Sequence, residues 1–210
     1  GKFVALFEEL AKDYDEIVTI HLSSGISGTY QGALAAADMV DHVKVYGFDT
    51  EVACYMQGMY AIHAARLAKT GASAKEILEH SEEMKKTEKE FILVDDLSHL
   101  QRGGRLSAAS ALIGSLLQVK PILHFSDKVI VPFEKIRTKK KALKRIEDLL
   151  AEDVAEYGAI EATVIHANCE QERDEWLNHL RAEFPTVDFY PSYFGAVVGT
   201  HLGEGALAMG

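Results

Sequence analysis

Short β-branched runs alternate with helical periods from the first residues onward, and that alternation restricts the fold more than any other feature of the chain. Glu16-Ile17-Val18-Thr19-Ile20-His21-Leu22 reads as a strand ending in a Ser/Gly turn, and Ile26 to Val40 returns to helical spacing. Val43 to Asp49 is a second strand, followed by a helix from about Glu51 to Lys69. Strands that each lead into a helix are joined by crossovers, which predicts a parallel sheet covered by helices. Ahead of them, Phe3, Leu6, Phe7 and Leu10 predict the apolar side of an amphipathic helix. Thr70-Gly71-Ala72 is a stop, and Ser73 with Glu76 forms a capping box opening another helix. That helix runs into the charged stretch Glu82 to Glu90. A domain boundary is placed there, giving domains 1–88 and 89–210.

The second half has a different rhythm. Phe91 to Val94 is a strand, and Ile122 to Phe125 with Val129 to Phe133 predict a hairpin around Ser126-Asp127-Lys128. Thr138 starts a long helix to about Tyr157. The strand Ala162 to His166, a helix from Cys169 to Phe184, the strand Val187 to Tyr190 and a Gly-rich end complete a mixed α/β layer. Between the first strand and the hairpin, residues Leu106 to Val119 carry no charged side chain and follow directly on Gly103-Gly104-Arg105. Leu106, Ala109, Ile113, Leu116 and Leu117 recur at helical spacing, with small residues on the other faces, so an enclosed helix with a cation at its mouth is predicted. An anionic headgroup at Arg105, with an apolar tail along the helix, fits that arrangement; so does a core helix beside a structural ion pair.

Charge narrows the partners. A net charge of −10 argues against nucleic acid or an anionic membrane as the main partner, because both repel surplus carboxylates. No apolar stretch reaches the ~18 residues that span a bilayer, so stable membrane insertion is not expected. Only Cys54 and Cys169 are present, far apart, and the histidines lack metal-ligand spacing, so neither a disulfide framework nor a metal site is expected. With no export signal visible, the cytoplasm is the expected location. Lys139, Lys140 and Lys141 fall in the first turn of the Thr138 helix, where the dipole disfavours cations, so either a compensating partner or plain solvation is expected.

Two segments carry candidate chemistry. Ser23-Ser24-Gly25-Ile26-Ser27-Gly28-Thr29 joins a strand to a helix, so hydroxyls and free backbone N–H groups near Gly28 and Thr29 converge where anions bind well. It is neither a Walker loop nor a nucleophile elbow, and simple N-capping is the structural alternative. The terminal stretch from Phe194 to Gly205 places His201 among glycines that allow close backbone approach, and its imidazole suits an acidic headgroup.

Five blocks, Ser23-Ser24-Gly25-Ile26-Ser27-Gly28-Thr29-Tyr30-Gln31, Gln101-Arg102-Gly103-Gly104-Arg105-Leu106-Ser107, Lys120-Pro121-Ile122-Leu123, Arg137-Thr138 and His201-Leu202-Gly203-Glu204-Gly205-Ala206-Leu207, occur in this order and together resemble the DegV family. The resemblance implies a bacterial fatty-acid-binding protein that is no enzyme and needs no cofactor. It implies the acyl-carrying subunit of fatty acid kinase, whose separate ATP-dependent catalytic subunit phosphorylates the bound carboxyl group to an acyl phosphate for phospholipid synthesis. The implied fold is an α/β/α parallel-sheet domain and a mixed-sheet α/β domain with an acyl tunnel between them. Carried onto this sequence, the headgroup set is Ser23, Ser24, Ser27, Gly28, Thr29, Arg105 and His201, and the tunnel lining is Ile26, Leu106, Ala109, Ile113, Leu117 and Phe194.

The family's opening βα segment, with its Asp-Ser and Thr-Ser-x-Pro-Ser motifs, is not in these residues. The chain looks like the family minus roughly its first quarter, which predicts an incomplete first sheet with an exposed edge. Glu204 stands where many members have proline. Two other readings remain: a phosphotransferase substrate domain like that of dihydroxyacetone kinase, against which the lack of a Gly-rich nucleotide cradle weighs, and a hydrolase using Ser24 or Ser27 with His201.

Overall fold

A computed structural model describes residues 1–106 and 120–210. The chain divides into two compact units, Gly1–Glu88 and Lys89–Gly210. The predicted enclosed helix from 107 onward lies outside the described residues, as do the lining candidates Ala109, Ile113 and Leu117.

In the first unit, α1 (Lys2–Leu10) precedes β1 (Glu16–His21), α2 (Thr29–Ala37), β2 (Lys44–Asp49), α3 (Cys54–Lys69) and α4 (Ala74–Lys85). β1 and β2 pair in parallel from Glu16↔Lys44 to His21↔Asp49, which brings the carboxyl ends of both strands side by side. Phe7, Ile17, Ala33, Ala36, Val40 and Val43 form the core of this unit. The apolar stripe of α1 is rotated from the one its sequence suggests, with Val4 and the C-cap Ala11 packed on the core in place of Leu6. Phe3, Phe7 and Leu10 follow the i, i+4, i+7 line towards this core, while Leu6 sits off that line and is 47% exposed. α2 begins three residues later than the helical spacing suggests, because Ser23 and Ser27 hold the preceding backbone in turns. At Ser73 the capping box is complete: its hydroxyl accepts from Glu76 N–H, and the Glu76 carboxylate accepts from Ser73 N–H.

The second unit is built on six strands in the order β5-β4-β3-β8-β6-β7. They are β3 (Phe91–Leu93), β4 (Lys120–Ser126), β5 (Val129–Ile136), β6 (Ile160–His166), β7 (Val187–Tyr193) and β8 (Leu207–Met209), and of these strands β6 and β7 pair in parallel and the other neighbours antiparallel. The β4–β5 hairpin turns at Asp127 and Lys128, both at positive φ (48° and 70°), the backbone hand that matches strand twist. Among the described residues its helices are α5 (Ser98–Arg102), α6 (Lys139–Tyr157), α7 (Glu170–Glu183) and α8 (Ala196–Leu202). Ile146, Leu150, Trp176, Leu177 and Leu180 of α6 and α7 bury against Ile122, Val164 and Leu207 of the sheet.

The Gly-rich end is not an open loop. It folds as α8 and then β8, whose Leu207, Ala208 and Met209 are fully or almost fully buried between β3 and β6. The first-turn cation at Lys139 is compensated within the protein: Glu172 lies 2.6 Å from its ammonium, which also donates to the Gly205 carbonyl at 3.2 Å. Among the described residues no helix is long and apolar enough to cross a membrane, and no group of three or more His, Cys, Asp or Glu side chains is set to hold a metal.

Candidate functional site

In the first unit the loop between β1 and α2 carries several hydroxyls, and the backbone amides of Ser23, Ser24, Gly25, Ile26, Ser27 and Thr29 donate within the protein. Ser23 is fully buried; its N–H donates to the Val52 carbonyl at 2.7 Å, and its Oγ accepts from Gly25 N–H at 3.3 Å. Ile26 and Ser27 both donate to the Ser23 carbonyl, and Ser24 N–H donates to the Asp49 carboxylate at 3.1 Å. Thr29 N–H, expected to be available to an anion, instead donates to Ser27 Oγ at 3.2 Å, and the two hydroxyls of Ser27 and Thr29 lie 2.7 Å apart. Gly28 is the N-cap of α2 and supplies no side-chain cap. The half-buried Ser24 hydroxyl, by contrast, makes no hydrogen bond among the described residues. The loop therefore offers a carboxylate the donor hydroxyl of Ser24 more than a set of free amides. Ile26 is half-buried in the same turn.

The segment after β2 clamps this loop. Thr50 is buried, and both its N–H (3.0 Å) and its Oγ1 (2.9 Å) donate to the His21 carbonyl at the end of β1. One oxygen of the buried Asp49 accepts from Ser24 N–H and from Glu51 N–H at 3.2 Å. Glu51 and Cys54 both stand at positive φ (66° and 57°), and such strain persists only where surrounding bonds hold it. Sequence reasoning missed Asp49 and Thr50. The usable signal was position: they end the strand parallel to β1, and ligands of open parallel sheets bind off adjoining carboxyl ends. Beside them, burial holds the His21 imidazole below its ordinary range despite the Asp49 charge, and Thr19 Oγ1 lies 2.7 Å from its Nε2.

In the second unit Arg105 and His201 converge on Gly103. The Arg105 guanidinium donates to the Gly103 carbonyl at 2.7 Å. A Cβ on Gly103 would lie 2.1 Å from His201 Nδ1, so the absence of a side chain there is what lets α8 bring the imidazole against this turn. The contact is reciprocal, since a Cβ on Gly203, at φ 82°, would lie 2.7 Å from the His99 ring. His201 Nδ1 is buried with no hydrogen-bond partner among the described residues. Leu106 is buried and bridges to Ile130, and Phe194 is buried with its N–H on the His166 carbonyl. His99 was also missed, and so was the contact of Gly103 with His201; the Gly-Gly-Arg and His-Leu-Gly blocks marked the neighbourhood but not its helix-to-helix pairing.

A separate groove of about 610 Å³ runs along β1, lined by Val18, Ile20, Ala61, Ala64, Ala68 and Ile77 among others, and no residue of the serine loop borders it. Among the described residues β1 pairs with β2 alone.

The DegV family model matches residues 1–210. Protein DegV of Bacillus subtilis is 60% identical over all of this chain and 75% of its own length, and a DegV domain-containing protein of Listeria innocua is 50% identical over all of this chain and 74% of its own length. Among solved structures, the crystal structure of DegV from Bacillus subtilis, described as a fatty acid binding protein, superposes with a TM-score of 0.93 over 100% of this chain and 74% of that one, at 60% identity. A fatty acid binding DegV family protein from Streptococcus agalactiae superposes at 0.86, with 31% identity, over 98% of this chain and 75% of its own.

Proposed function

The chain belongs to the DegV family, and from that premise we propose that it binds a long-chain fatty acid and presents the carboxyl group to a separate ATP-dependent kinase subunit, which phosphorylates it to an acyl phosphate. The observation that carries this reading is the 60% identity to a crystallised fatty acid binding relative, with the hydroxyl loop and the Arg105–Gly103–His201 corner both formed. Ser23, Ser24, Ser27 and Thr29 are the hydroxyl contacts; Arg105 supplies a fixed cation, and His201 a group able to share a proton with the acid. Ile26, Leu106 and Phe194, with Ala109, Ile113 and Leu117, are the apolar lining for the tail. The tail dominates affinity: about a dozen buried methylenes contribute ~10 kcal/mol before ordering costs, so the headgroup residues set orientation. The protein acts in this reading as a carrier and not as an enzyme, in the cytoplasm, as one step of phospholipid synthesis.

The test is trapping with hydroxylamine, which converts acyl phosphate to the hydroxamate. Palmitate, ATP and this chain give no hydroxamate alone and give it when the DegV-partnered kinase subunit is added. Hydroxamate formed without the added subunit, or none in its presence, contradicts the proposal. Arg105→Ala and His201→Ala are expected to impair phosphorylation more than acyl binding.

A further inference from the structure

The clamp on the serine loop assigns a role to a residue outside the headgroup set. Asp49 is the last residue of β2, its ladder partner is His21, and its carboxylate is buried. Through Oδ1 it takes the Ser24 amide at 3.1 Å and the Glu51 amide at 3.2 Å, so one atom ties the headgroup loop to the strained turn that follows β2. With the amides of Ser23, Gly25, Ile26, Ser27 and Thr29 also donating inside the protein, Ser24 contributes its hydroxyl to whatever binds and not its backbone N–H.

We propose that Asp49 is a positioning residue for carboxyl recognition: it touches no ligand, and by accepting the Ser24 N–H it orients the Ser24 hydroxyl towards the acid headgroup. The inference rests on the fatty-acid reading given above. What Asp49 contributes is an acceptor at one place, which makes the role separable from charge and from general stability. An amide oxygen accepts a hydrogen bond at the same position, whereas a glutamate keeps the charge and moves the acceptor by one methylene.

The experiment measures affinity for palmitate and for 1-hexadecanol, which shares the tail and lacks the acid, by displacement of a fluorescent fatty acid. Wild-type protein prefers palmitate. Asp49→Ala lowers that preference by about tenfold, the scale of a lost hydrogen bond to a charged group, and Asp49→Asn keeps it within about threefold. Asp49→Glu loses it like the alanine variant and serves in its place if alanine does not fold. A general loosening weakens both ligands together and leaves the ratio unchanged. An unchanged ratio in Asp49→Ala or Asp49→Glu, or an asparagine variant as poor as alanine, overturns the role of Asp49 alone. Wild-type protein that binds palmitate no better than hexadecanol overturns the functional reading and this inference with it.

Discussion

The serine loop of the first unit and His201 of the second are held by opposite means. In the first, polar bonds tie the serine loop to Asp49 at the end of β2, and the end of β1 that leads into the loop to Thr50. In the second, His201 is set by steric fit, with Gly103 and Gly203 making room for the rings of His201 and His99. A polar tie tolerates substitution by any group that accepts or donates at the same point. A steric fit tolerates no added atom, however conservative. The first unit is therefore expected to respond to polarity and pH, and the second to volume.

The largest expected effect tests the pH half of that contrast. Burial pushes the Glu88 carboxyl up to about 7, against the pull of the Tyr60 hydroxyl that donates to it and of Lys85. The folded state therefore keeps a proton that the unfolded state releases above about 4.5, so this group's contribution is fully favourable below that pH and is lost as pH rises through 7. Glu88→Gln is expected to stabilise the protein by up to about 3 kcal/mol at pH 8 and to give no gain below pH 4.5, read by urea unfolding at each pH. Equal effects at both pH values would show that Glu88 is not held neutral.

Next in size is Gly103→Ala, expected to cost about 1–3 kcal/mol and to displace the His201 ring, visible in its imidazole NMR signals. Its contrast is Gly32→Ala in the interior of α2, where a Cβ meets nothing within 4 Å and a gain of up to about 1 kcal/mol is expected from helix propensity. If the two cost the same, the steric account of the second unit fails. Thr50→Val, which keeps the N–H bond to His21 and removes the hydroxyl bond, is expected to cost about 1 kcal/mol, while Thr50→Ser retains most of it. Smallest is Ser73→Ala, at about 1 kcal/mol or less, because that cap is exposed and its bonds run only to Glu76.

The mixed α/β class was legible because strand and helix periods differ and long elements repeat them. The capping box and the Asp127-Lys128 turn were legible because their chemistry is local. The Gly-rich end was not. β8 is three residues whose strand character comes from pairing with β3 and β6, and the seven residues of α8 include a glycine that weakens any propensity signal. The serine loop announced itself through composition. Its chemistry did not, because nothing in Ser23–Thr29 reveals that Asp49, 25 positions beyond Ser24, accepts one of its amides. Gly103 and His201 were likewise visible separately, and their contact is a product of helix packing that no local pattern encodes.

Native mass spectrometry of protein purified without detergent, coupled to organic extraction, tests the central claim most directly. The expected result is one fatty acid held per 23.1 kDa chain and released into the extract, or taken up one per chain when palmitate is added. A chain that carries no lipid and remains at its bare mass after incubation with palmitate would contradict the account.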